Sequence, residues 1–266
     1  MAIHACHRGV SQRRACWLLS TPRSGLHYRS RRERLDRHLV RALELLGRRH
    51  PAWGYRLVGA ALRLRGWRVN DKRVYRLWRE HGLALPPYRP ARKVRTGNAL
   101  EHAAQKRNDV WAWDLVHDSF GGGHKFRCLT VKDEATGYCL AIEVGTSITN
   151  VDVRHVFRRL IACYGCPRAV RSDNGPELVA HELRTLIEES GAAIALIEPG
   201  KPWQNGSNES FNGTFRRECL DAELFGSLME ARVVIAEWRR TYNRLRPHSS
   251  HGYVTPAMSY FGLRPT

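Results

Sequence analysis

Three apolar runs stand close together in the middle of this 266-residue chain: VWAWDLVHDSF from Val110, KFRCLTVKDEA from Lys125 and GYCLAIEVGT from Gly137. Gly121-Gly122-Gly123 and Thr136-Gly137 separate them, and apolar runs joined by such short glycine turns predict a three-stranded antiparallel meander. Downstream the pattern predicts a helix over 151–164, a short strand over 168–172 after Pro167, a helix over about 177–190, a strand over 192–197 and a helix over about 205–219. The order βββαβαβα gives an α/β domain: a mixed sheet with helices on both faces.

Charge divides the chain at about the point where the strands begin. Residues 1–108 hold 26 Lys and Arg against 6 Asp and Glu, a net of +20, and the remaining 18 and 19 leave −1. Of the 44 cations 38 are Arg, which codon bias alone would favour, but codon bias does not confine cations to one half. A polyanionic partner accounts for the asymmetry better, and binding to phosphate backbones is the direct reading. No run approaches ~18 consecutive apolar residues and MAIHACHRGV lacks an apolar signal core, so a soluble, cytoplasmic protein without membrane contact is expected. Seven scattered cysteines do not resemble a secreted disulfide framework and are expected reduced.

The basic half reads as all-α. Ser11 is suited to cap a helix that breaks at Thr21-Pro22, and Leu35, Leu39, Leu43 and Leu46 recur at helical spacing until His50-Pro51. A helix from Tyr55 to Arg65, with Leu57, Ala61 and Leu64 inward, is followed by a Gly66-Trp67 turn. Asn70 then caps a second helix, Asp71 to His81, which Gly82 stops. Two short helices around a glycine turn, over about 50–82, match a helix-turn-helix. Val74, Leu77 and Trp78 form the apolar stripe of the second helix, which leaves Lys72, Arg73, Arg76 and Arg79 where a recognition helix meets DNA. Residues 1–82 are thus expected as a basic helical DNA-binding region and 83–108, proline-containing and without periodicity, as a linker. Residues 109–225 are the α/β core, and 226–266 a C-terminal helix and basic tail.

Three carboxylates lie where a structural carboxylate has little reason to be. Asp114 interrupts an apolar strand between Trp113 and Leu115, where a lone buried charge is costly unless paired or holding a metal. Asp173 ends a strand in Ser-Asp-Asn-Gly-Pro-Glu at the carboxyl edge of the sheet, where α/β sites form. Glu209 sits on the helix after Pro202-Trp203-Gln204-Asn205-Gly206. Taken singly each has an ordinary reading, Asp173-Asn174-Gly175 as a turn and Glu209 as a first-turn acid favoured by the helix dipole. Other motifs say less. Cys163-Tyr-Gly-Cys166 has ligand spacing without a second pair at zinc-finger distance, and the Gly121–Gly123 run precedes no helix that would cradle phosphate, so no nucleotide cofactor is expected.

Taken together, RSDNGPEL and KPWQNGSNESFNGTFRRECL, with thirty-five residues separating Asp173 from Glu209, resemble the retroviral-integrase-like DDE transposases of bacterial insertion sequences. The similarity is to the subunit encoded by the second of two overlapping reading frames. It extends over nearly the whole chain: HPAWGYRLVGAALRLRGWRVNDKRVYRLWREHGL is similar to the helix-turn-helix segment, VWAWDLV to the first-aspartate strand and WRRTYNRLRPHSSHGYVTPAMSYF to the C-terminal box. His251 and Leu115-Val116 depart from the usual pattern. The resemblance implies a ribonuclease-H-like integrase catalytic core preceded by the helix-turn-helix. It also implies a transposase in which Asp114, Asp173 and Glu209 are catalytic and bind metal.

Three acids with no Cys/His set beside them select a hard cation, Mg²⁺ or Mn²⁺, and two such ions suit in-line phosphoryl transfer. By resemblance Asp114 bridges both, while Asp173 and Glu209 each take one. The attacking group is water for nicking and a 3′-OH for strand transfer. Lys201, Gln204, Asn205, Asn212 and Arg216 surround Glu209 in sequence as candidates to hold DNA, Asn205 equally as a helix cap. Trp238, Tyr242, Arg246 and His248 read as core, DNA contact or oligomer contact. The expected partners are element ends and target DNA, further copies of the chain, and a segment from an upstream reading frame. Competing functions are a structure-specific nuclease of the same fold and a non-enzymatic DNA-binding regulator. Intact acids argue against the regulator, and strand transfer separates transposase from nuclease.

Overall fold

A computed structural model describes residues 10–26, 32–86, 104–172, 181–196 and 206–263. Asp173, Lys201, Gln204 and Asn205 lie outside the described residues, as does most of the expected linker. Two compact units divide the chain, Met1–Leu45 and Leu46–Thr266. None of the described helices is long and apolar enough to cross a membrane.

In the first unit Ser11 caps α1 (Gln12–Leu18) through Arg14 N–H, with Ala15 and Cys16 buried, and α2 (Arg23–Leu26) follows. On α3 (Arg32–Arg49), whose residues from Leu46 onward belong to the second unit, Leu39, Leu43 and Leu46 are buried, but Leu35 is 65% exposed, so the apolar stripe starts one turn later than the leucine spacing suggested.

The second unit opens with the helical pair, α4 (Tyr55–Arg63) and α5 (Asp71–Glu80). The inward face of α4 is Val58, Ala61 and Leu62, whereas Leu57 and Leu64 are only half-buried, a rotation of about one residue from the expected stripe. Gly66 at φ +82° makes the turn, and Asn70 accepts from Arg73 N–H to cap α5. Val74, Leu77 and Trp78 are buried. The Trp78 ring lies so near Gly47 that a Cβ there would stand 3.2 Å from Trp78 Cη2, so glycine at this point lets the indole cover the end of α3.

Five strands form the expected mixed sheet: β1 (Val110–Ser119), β2 (Lys125–Asp133), β3 (Cys139–Gly145), β4 (Ala169–Ser172) and β5 (Ala193–Leu196), in the order β3-β2-β1-β4-β5. β1, β2 and β3 pair antiparallel, and β4 joins β1 and β5 in parallel. Strand alternation sends Trp111, Trp113, Leu129, Val131 and Val170 to one face, where they pack on Val153, Val156, Phe157 and Leu160 of α6 (Asn150–Tyr164) and Ile187 of α7 (His181–Glu189). Val116, Phe126, Cys128 and Val144 pack on the other face against α8 (Gly206–Phe215) and α9 (Leu228–Arg244). A register shift between Val131 and Lys132 lets Leu140 and Ala141 both join the first cluster.

The expected 205–219 helix is α-helical only to Phe215, and Arg216–Leu220 winds as a π-helical turn, with Asp221 N–H on Arg216 C=O. The C-terminal segment is part of the core. Trp238 and Tyr242 pack edge-on or tilted against Phe211 and Phe215, Arg246 forms a bidentate pair with Glu218, and α10 (Pro256–Phe261) brings Tyr260 into the opposite cluster. The strand-side anchor is Asn108, at φ +62°. Its side chain accepts from Trp111 Nε1–H and Tyr260 O–H and donates to Tyr164 C=O, while its own N–H donates to Asp133.

Candidate active site

Asp114 lies midway along β1, half-buried, on the sheet face covered by α8. Its Oδ1 accepts from Leu115 N–H at 2.8 Å and its Oδ2 from Asn212 Nδ2 at 2.6 Å. Asn212 is on α8, three residues after Glu209, which is exposed in the first turn of the same helix. At this spacing the two side chains share a helix face. The helix itself is a weak former, GSNESFNGTF with two glycines and two asparagines, so its place depends on tertiary contacts. Phe211 and Phe215 are buried, and Asn208 donates to Trp113 C=O at 3.1 Å. Arg216 donates to His117 C=O at 2.9 Å, which binds the end of α8 to β1.

Sequence reasoning passed over the charged run Lys132-Asp133-Glu134, whose first member lies beneath α8. Lys132 is 5% exposed, and its ammonium donates to the carbonyl and hydroxyl of Ser207 and sits 5.7 Å from the centre of the Phe211 ring. Burial pulls its pKa down to about 8. Glu134 is raised by burial, opposed by its buried ion pair with Arg171. The available signal was a Lys-Asp-Glu run at the end of a strand with both faces covered. Asp133, the middle member, is fully buried and closes the β2–β3 turn by accepting from Thr136 N–H and O–H. A cavity of about 760 Å³ opens beside Lys132, bounded by Arg56 of α4, by α8 and by the segment from Arg246 to Tyr253. His251, one of the departures from the family pattern, binds Ala135 C=O through Nε2 at 2.8 Å.

On the proposed DNA-facing helix, Lys72 and Arg79 are exposed and Arg73 and Arg76 half-exposed. Arg76 pairs with Glu80 at 2.8 Å and Arg79 lies over the Tyr75 ring. Cys163 and Cys166 are free and exposed, and no cluster of three His, Cys, Asp or Glu side chains forms among the described residues, Asp173 lying outside them.

A five-stranded sheet in this order, covered on both faces and holding a half-buried carboxylate against a helix that also carries a glutamate, defines a ribonuclease-H-like catalytic core of the integrase class. The integrase core domain family matches residues 104–202 and, by a second profile of the same description, 190–256; an HTH-like domain matches 30–91. The chain is 38% identical to the insertion element IS407 uncharacterized 31.7 kDa protein of Burkholderia multivorans, over 93% of this chain and 90% of that protein. It is 29% identical to the transposase InsD of insertion element IS2 of Escherichia coli, over 77% of this chain and 72% of that one. A chain of the simian T-cell lymphotropic virus intasome, in complex with PP2A regulatory subunit B56 gamma, shares the fold with TM-score 0.51 and 19% identity, over 76% of this chain and 69% of that one. The chain belongs to the insertion-element transposases with an integrase core and is a DNA transposase.

Proposed function

We propose that the chain cleaves insertion-element ends and joins them to target DNA by phosphoryl transfer at Asp114, Asp173 and Glu209. The observation that carries this reading is the 2.6 Å bond from Asn212 to Asp114, which couples the first candidate acid to the helix bearing Glu209. The donor set suits Mg²⁺ or Mn²⁺: the candidate donors on β1 and α8 are carboxylate oxygens, while burial raises the thiols of Cys128 and Cys219 and keeps them from acting as thiolate ligands. Two such ions, when bound, lower the cost of activating the attacking hydroxyl and stabilise the leaving 3′-oxygen.

In this reading Asp114, Asp173 and Glu209 hold the ions, and Asn212 fixes the rotamer of Asp114. Lys72, Arg73, Arg76 and Arg79 hold the DNA backbone, supported by the net +20 of residues 1–108, and Lys201, Gln204, Asn205 and Arg216 hold it beside Glu209. Element ends and target are the DNA partners, further copies of the chain assemble on them, and an upstream-frame segment adds DNA binding. The experiment is cleavage and strand transfer with labelled element ends in Mg²⁺. Asp114→Asn, Asp173→Asn and Glu209→Gln each lose both reactions and keep DNA binding. A near wild-type rate in any of the three removes that acid from the site.

A further inference from the structure

We propose that Lys132 is a positioning residue for the transposition reaction: its buried ammonium grips the first turn of α8 and sets where Glu209 stands relative to Asp114. The inference rests on the reading of Glu209 and Asp114 as catalytic acids.

The geometry is specific to one helix. Ser207, which receives both hydrogen bonds, and Phe211, whose ring the ammonium faces, are four residues apart on α8, so Lys132 holds one face of the helix over its first full turn. Glu209 lies two residues beyond Ser207 and Asn212 one beyond Phe211. Lys132 is also in line with the active strand. It registers opposite Ala112 of β1 and Thr130 opposite Asp114, so by strand alternation Lys132 and Asp114 lie on the same face. Together with Asn208 on Trp113 C=O and Asn212 on Asp114, the helix is held at three polar points.

A second charged link leads from the same place toward the other acid. Ala112 also registers opposite Arg171 of β4, so Lys132 and Arg171 flank one small residue. Glu134, two residues after Lys132, pairs with Arg171 and attracts Lys132 electrostatically. Arg171 precedes Asp173 by two residues, as Ser207 precedes Glu209. The run Arg171, Glu134, Lys132, Ser207 therefore joins the strand leading to Asp173 with the helix carrying Glu209.

Energetics favour a positioning role over a stabilising one. A buried cation costs free energy that an apolar side chain of the same length does not, and replacing buried ionic groups by apolar ones is often neutral or stabilising. What the ammonium adds here is direction, through two donors aimed at one residue of a glycine- and asparagine-rich helix that has little preference of its own.

The test uses the full chain with Lys132→Met, Ser207→Ala, the double variant and Glu209→Gln, and follows Mn²⁺ binding by calorimetry, duplex binding, thermal melting, and the kcat and KM of strand transfer. Lys132→Met is expected to weaken Mn²⁺ binding and lower kcat by about 10- to 100-fold, the usual cost of losing an outer partner of a ligand, with KM for DNA unchanged. Ser207→Ala, which leaves the core filled, moves both in the same direction by a smaller factor, and the double variant is no worse than Lys132→Met because both remove the same interaction. Lys132→Met with wild-type kcat and Mn²⁺ binding overturns the proposal whatever happens to its melting temperature. So does additivity of the two single effects. Should Lys132→Met fail to fold, wild-type kcat and Mn²⁺ binding in Ser207→Ala overturn it. Glu209→Gln separates the two ideas: full activity there defeats the catalytic reading itself, whereas loss there with an unaffected Lys132→Met defeats only the role of Lys132.

Discussion

The side-chain amide of Asn243 on α9 bonds both backbone groups of Cys139 on β3, accepting from its N–H and donating to its C=O at 2.9 Å each. β3 is an edge strand, and further along α9 Arg239 donates to Leu140 C=O at 2.6 Å and Arg232 to Val144 C=O at 2.9 Å. The helix thus takes the place of a sixth strand, satisfying an edge that would otherwise invite another chain.

Asn243→Leu is expected to destabilise the chain by about 2–3 kcal/mol, two buried backbone groups being left without partners at roughly 1–3 kcal/mol each before relaxation. Chemical denaturation measures this. A change below about 0.5 kcal/mol would mean that water replaces the amide and that α9 does not close the edge.

Asn212→Ala removes the 2.6 Å donor to Asp114 Oδ2. Cleavage under single-turnover conditions is expected to slow by about 10- to 100-fold, with duplex binding almost unchanged. Asn212→Asp, which sets a like charge against Asp114, is expected to be slower still. If binding falls and the cleavage step does not, Asn212 touches DNA instead, as its neighbours in sequence suggested.

His248 is held neutral. Burial first, then the positive charges of Arg246, His251 and Lys132, bring its pKa from 6.5 down to about 3. Between these values the unfolded chain takes up a proton that the folded chain refuses, so stability falls as pH drops from about 6.5 toward 3. His248→Gln should flatten the melting temperature over that range relative to wild type. Parallel curves for the two proteins would show that His248 titrates normally.

Lys72 and Arg79 are exposed on α5. Replacing both by Ala is expected to weaken duplex binding by the full chain and to reduce the slope of log affinity against log salt by about 0.9 for each phosphate that is no longer neutralised. An unchanged slope would remove α5 from the DNA interface.

Much of the fold could be read directly along the chain because its signals are local. Alternation in VWAWDLV and KFRCLTV and the glycines at 123 and 137, with φ +80° and +69°, mark strands and turns whatever lies around them. Asn70, Gly82 and the Val74-Leu77-Trp78 stripe mark α5 in the same way. Asp114 was legible for a related reason, as a charge inside an apolar strand, whereas Glu209 reads singly as an ordinary first-turn acid and stood out only through the resemblance of the segment around it.

What sequence alone determined is therefore the order of elements, the break in charge and the candidate acids. Only the tertiary structure decided that Lys132 is buried under α8, that Glu134 answers Arg171, that Asn212 turns toward Asp114, and that the segment from Trp238 to Tyr260 belongs to the core. A buried charge is tolerable only with its partner, and these partners lie 37, 75 and 98 residues apart in the chain. No local period specifies such a pairing; it is set when the strands take their register and α8, a weak helix in isolation, packs down between β1 and α9.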